Sequence, residues 1–94
     1  MKRMHNPAHP GEILREFLPK SITIEQIANR LSVSRVQLSR VLNGHSAISA
    51  DMAIRVGMLT KTTPESWLSG QIQWDLWQAS LKKIPVITPL QKAA

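Results

Sequence analysis

Between positions 34 and 43 the chain interleaves Ser34, Arg35, Val36, Gln37, Ser39, Arg40 and Asn43 with the apolar residues Leu38, Val41 and Leu42. The polar set contains guanidinium, carboxamide and hydroxyl groups and no acid. Guanidinium and carboxamide groups offer paired hydrogen bonds to base edges in a duplex major groove, and short hydroxyls suit phosphate oxygens. The chemistry available here is recognition of DNA, provided that these residues share one helix on a suitable scaffold. A basic helix face in solvent would carry similar side chains, so the scaffold has to decide. Bond-making chemistry finds no support: there is no nucleophile elbow, no Gly-rich phosphate loop and no cluster with metal-ligand spacing. The chain is expected not to be an enzyme and to need neither cofactor nor metal. His5 and His9 stand four apart, but Pro7 and Pro10 disfavour the helix that would bring them together, and no Cys or acid lies within residues 1–10.

Residues 23–43 supply the scaffold. Ile24, Ile27, Ala28 and Leu31 recur at three- and four-residue steps, as do Leu38, Val41 and Leu42, which puts each set on one helical face. Only Ser32, Val33 and Ser34 separate the two patterns, enough for a tight turn. Helices this short are unstable alone, so each must lay its apolar stripe on the other and on further helices. The arrangement is a helix-turn-helix. Thr23 with Gln26, and Ser34 with Gln37, read as capping boxes at the two helix starts. Ala28 is small enough for the crossing point, and Val33 fills the corner between the helices. On this geometry Arg35 and Arg40, with Gln37, Ser39 and Val36 in lesser roles, are expected to read base edges. Thr23, Ser34, Asn43 and His45 are expected at phosphates, and Gln26 is grouped with the same DNA-binding face.

Further elements surround this pair. Pro10 can open a first helix whose Ile13, Leu14, Phe17 and Leu18 form a stripe ending at Pro19. Asn43-Gly44 is a helix stop, with Gly44 free to take positive φ, and the polar groups and backbone amides of His45 and Ser46 would follow near a phosphate. Ser49 caps a fourth helix, with Asp51 in its first turn and Met52, Ala53, Val56 and Leu59 turned inward. Thr63-Pro64-Glu65 starts a fifth helix that should reach about Lys82. It carries two apolar rows, Trp67, Gly70, Trp74, Trp77 and Leu81 in one and Leu68, Ile72 and Leu76 in the other. The last helix of a small domain has one interior to face, so one row is expected to form a protein surface, most simply a homodimer. Trp67, Ile72, Trp74, Trp77 and Leu81 are the candidates. Residues 1–9 read as a mobile arm and 10–83 as a DNA-binding and dimerisation domain. Residues 84–94 read as a tail, disordered or extended against a partner.

The segments HPGEILREFL from His9, RLSVSRVQLSRVLNG from Arg30, ISADMAIR from Ile48, TPESWL from Thr63 and DLW at 75–77 resemble the HigA/VapI branch of the lambda-repressor-like helix-turn-helix proteins. These are the antitoxins of HigB-type toxins. The likeness spans residues 9–77, and the ordered co-occurrence of its segments is more specific than a helix-turn-helix alone. It implies a five-helix, all-α fold, a homodimer on an inverted-repeat operator, and an autorepressing antitoxin that binds a HigB-like ribonuclease toxin. Three positions depart from the branch: Ser32 and Lys61 stand where Gly is usual, and Gly57 where a helix former is usual. Left-handed backbone at a non-Gly residue costs on the order of 1 kcal/mol, and Gly inside a helix costs a similar amount.

A chain of 94 residues has room for one domain with a modest core. Twelve basic residues against six acids give a formal net charge of +6, a field that attracts polyanions. No apolar run is long enough to span a bilayer and the first residues lack the apolar core of a secretory signal, so a cytoplasmic location without membrane contact is expected. The absence of cysteine excludes a disulfide framework. A toxin acting on RNA should itself be basic, so contact with it would rest on shape, apolar surface and a few acids. Glu12 and Glu16 beside Arg15, Met4, and residues 84–90 are the candidates. Two other readings share the composition: a stand-alone or phage-type regulator without a toxin, and an interaction module that does not bind DNA.

Overall fold

The computed structural model describes residues 6–91. Within them the expected all-α, five-helix architecture is present: α1 Pro10–Phe17, α2 Ile24–Leu31, α3 Arg35–Leu42, α4 Ala50–Thr60 and α5 Pro64–Ser80. Each helix begins where a side chain accepts from a free first-turn amide: His9, Thr23, Ser34, Ser49 and Thr63 in turn. The box at Thr23 is reciprocal, with Gln26 accepting from the Thr23 N–H. At Ser34 only half of the expected box forms: Ser34 accepts from the Gln37 N–H, and the Gln37 side chain does not return. The fifth helix stops at Ser80, short of Lys82.

The core gathers Leu14 of α1, Ile27, Ala28 and Leu31 of α2, Leu38, Val41 and Leu42 of α3, Met52, Ala53 and Val56 of α4, and Trp67 of α5, with Val33 packed on it from the turn. α1 lies so close to α3 that a Cβ on Gly11 would sit 1.9 Å from the Val41 carbonyl oxygen. Two helix ends are closed by arginines from other elements. Arg15 of α1 donates to the Leu42 carbonyl at 3.2 Å and to Asn43 Oδ1 at 2.6 Å, at the end of α3. Arg55 of α4, held by Asp51, donates to the Leu31 and Ser32 carbonyls at 2.8 and 3.1 Å, at the end of α2. Both serve orphan carbonyls with a cation where the helix dipole favours one.

Ser32 and Lys61 do adopt left-handed backbone, at φ of 58° and 59°. Gly57 is a different matter. A Cβ there would meet the Thr62 carbonyl oxygen at 2.9 Å and the Pro64 nitrogen at 3.3 Å, so the turn into α5 packs directly on α4 and only Gly admits it.

Two expectations are corrected by burial. His9, assigned to a mobile arm, is 4 % exposed and caps α1, although residues 1–5 of that arm, His5 and Met4 included, lie outside the described residues. Trp67, offered as a dimer residue, is 5 % exposed and its Nε1 donates to Thr62 Oγ1 at 2.6 Å, so it belongs to this chain's own core. Trp74 and Trp77 are half-buried and pack on each other at 5.5 Å, whereas Ile72, Leu76 and Leu81 are exposed. The tryptophan row therefore faces mainly inward. Beyond α5, residues 83–91 form no regular secondary structure and are solvent-exposed.

Candidate nucleic-acid interface

Three apolar residues of α3, Leu38, Val41 and Leu42, are buried, and this fixes which side chains the helix can turn outward. Arg35, Val36, Gln37, Arg40 and Asn43 are all exposed, and Ser39 is half-buried beside them. Val36 keeps 69 % of its surface open, which suits contact with an apolar group such as a thymine methyl and costs an isolated domain free energy. Thr23, Gln26 and Ser34 are also exposed at the starts of α2 and α3, so the sequence-assigned set clusters at the helix-turn-helix.

Several of these groups are already engaged. Arg40 Nε donates to Ser46 Oγ at 2.9 Å and its Nη2 donates to the His45 carbonyl at 3.3 Å, which ties the helix to the turn that follows. The outer N–H groups of the guanidinium fork remain for a base. Asn43 donates from Nδ2 to Ser39 Oγ at 3.3 Å and accepts from Arg15, and Gln26 is held in its cap by Thr23. The backbone amides of the 44–46 turn, expected to serve a phosphate, are spent internally: Gly44 N–H donates to Val41 O, and His45 and Ser46 N–H both donate to Arg40 O. Of the groups expected at a phosphate here, the His45 side chain remains exposed.

α3 and the chain after it enclose a shallow groove of about 400 Å³ lined by Val36, Gln37, Arg40, Ser46 and Ser49, among others. Two residues whose roles were not legible from the sequence lie against the chain that follows α3, Gln71 and His9. Gln71, buried among apolar residues, accepts from the Ile48 N–H at 2.8 Å and donates to Asp75 at 2.9 Å. His9 is the second, with its ring edge-on to Trp74 of α5 at 5.3 Å. His-Pro-Gly, a short acceptor directly before a first-turn proline, was the signal that could have exposed His9 as a cap. Burial holds the His9 imidazole below its ordinary pKa, against the pull of Asp75, Glu12 and the Ser46 backbone.

No group of three or more His, Cys, Asp and Glu side chains stands close enough to hold a metal ion among the described residues, nor is any helix there long and apolar enough to cross a membrane.

Comparison with known proteins places this geometry. A family model described as helix-turn-helix matches residues 12–67. The antitoxin HigA-1 of Vibrio cholerae is 37% identical over 78 residues, covering 81% of this chain and 73% of that protein. The structure of Pseudomonas aeruginosa antitoxin HigA with the higBA promoter superposes with a TM-score of 0.75 at 39% identity, covering 80% of this chain and 84% of that one. Antitoxin GraA in complex with its operator superposes with a TM-score of 0.77 at 32% identity, covering 95% and 99%.

Proposed function

The chain belongs to the helix-turn-helix family, and from that membership we propose that it is a sequence-specific operator-binding antitoxin, acting as a homodimer that represses its own operon and neutralises a HigB-like ribonuclease toxin. The observation that carries the DNA-binding part is α3: its apolar side is core, and its outer side presents Arg35, Val36, Gln37 and Arg40 with no acid among them. Arg35 and Arg40 read base edges, with Val36, Gln37 and Ser39 in lesser contact. Thr23, Ser34, Asn43 and His45 meet phosphates, and Gln26 supports Thr23 in its cap.

Dimerisation is assigned to the exposed row of α5, Ile72 and Leu76 with Leu81, bordered by the half-buried Trp74 and Trp77. Toxin contact is assigned away from α3, to the exposed Glu12 and Glu16 on α1 and to residues 84–90. Arg15, spent on the end of α3, is dropped from that surface. Separate surfaces let toxin and DNA bind together.

Co-expression with the adjacent small reading frame is the test. Relief of growth arrest and co-purification support the antitoxin role. Arrest that persists without co-purification leaves a stand-alone regulator, and loss of all duplex affinity at low salt leaves an interaction module.

A further inference from the structure

His9 joins three parts of the fold. Its Nδ1 accepts from the Gly11 N–H at 2.9 Å, capping α1. Its ring meets Trp74 of α5 edge-on. The ring also faces the turn after α3, where a Cβ on Gly44 would lie 3.8 Å from it. That turn is closed on the end of α3, with the His45 and Ser46 N–H both donated to Arg40 O. Acceptance at Nδ1 demands the neutral tautomer protonated at Nε2. The same turn holds Arg40 through Ser46 Oγ and the His45 carbonyl. We propose that His9 is a positioning residue of the DNA interface: it clamps the 44–46 turn against α1 and α5, and so fixes where the Arg40 guanidinium stands.

A neutral imidazole caps α1 at Nδ1 while its ring packs between Trp74 and the turn at Gly44. Protonation converts Nδ1 from acceptor to donor and sets it against the Gly11 N–H. The charged and titratable groups around the ring are Glu12 on α1, Asp75 on α5, and Arg40 and His45 on the side of the turn. Asp75 is itself held by Gln71, which grips Ile48 further along the same connection, so α5 secures the turn at two points.

The proposal rests on the DNA-reading role of Arg40 only for its consequence at the operator, and the test separates the two. His9→Asn retains a short cap acceptor and removes the ring that lies between Trp74 and Gly44. In the free protein, amide exchange at Gly44, His45 and Ser46 should rise about fivefold or more in H9N while α2 amides are unchanged, as loss of one clamping contact implies. At the operator, H9N should lower affinity by a similar factor, and in an Arg40→Ala background it should add nothing further. Unchanged exchange at 44–46 overturns the clamp, and additive losses from H9N and R40A overturn its action through Arg40. R40A that leaves the operator-to-random ratio intact would refute the base-reading assignment instead, with the exchange result still deciding the clamp. Should H9N fail to fold, Trp74→Ala decides in its place, because it removes the surface that presses the ring onto the turn: faster exchange at 44–46 supports the clamp, and unchanged exchange overturns it.

Discussion

A guanidinium fixed before binding loses less freedom when a base arrives, and this separates the two arginines of α3. Arg40 is held by the turn after its helix, whereas Arg35 makes no side-chain hydrogen bond within the described residues. Arg35→Ala and Arg40→Ala should each cost about 1–3 kcal/mol at the operator and relax preference at one base pair, while Thr23→Ala and His45→Ala should weaken operator and random DNA alike. Fluorescence anisotropy with both duplexes checks this. Backbone conformation makes a second prediction. Ser32→Gly and Lys61→Gly should each raise stability by roughly 0.5–1 kcal/mol by relieving positive φ. Gly57→Ala should lower stability in thermal unfolding despite the better helix propensity of Ala, because its Cβ would strike the Thr62 carbonyl. His9 makes a third. Its pKa in the folded chain lies below the ordinary 6.5, so the unfolded chain binds more protons in the interval between the two. Stability should therefore fall as pH is lowered through 6.5 and level off below the folded value. His9→Asn should flatten that slope, and an unchanged slope in thermal scans across pH 5–8 would refute it.

Helix starts were readable because capping is local: Thr23, Ser34, Ser49 and Thr63 each act within three residues of themselves. Helix ends were less so, because Arg15 and Arg55 reach the carbonyls of α3 and α2 from far along the chain, and no spacing rule reports that. The same limit applies to α5. Its two apolar rows are equivalent in periodicity, and only the packed fold shows that Trp67 is core while Ile72 and Leu76 stay in solvent. That difference can be measured. Replacing Ile72 and Leu76 together by Asp should yield a monomer with unchanged helicity. Trp67→Ala should instead cost about 3–5 kcal/mol of stability with loss of helicity, as emptying a core site does. Sedimentation velocity and circular dichroism on the two variants distinguish these outcomes, and a helical dimer from the double variant would move the interface elsewhere.

The candidate recognition face was legible as a set of residue types on a helical period, because surface recognition needs side chains at regular spacing on a rigid element. Its internal wiring was not, since Gln71 and His9 act on the α3–α4 connection only after α1 and α5 have packed. The chain combines a net charge of +6 with an acid-free α3 face. Bulk charge draws in any duplex and supplies salt-dependent affinity, whereas α3 must supply choice. Two copies joined through α5 would set two such helices roughly 34 Å apart, one duplex turn, and select an inverted repeat. The most direct measurement is the ratio of affinities, at one fixed salt concentration, for the DNA preceding this reading frame and for a shuffled duplex of the same composition. DNA reading by α3 predicts a ratio on the order of 10³ or more, reduced about fivefold or more by Arg35→Ala. A ratio near one, the same with and without Arg35, would contradict it.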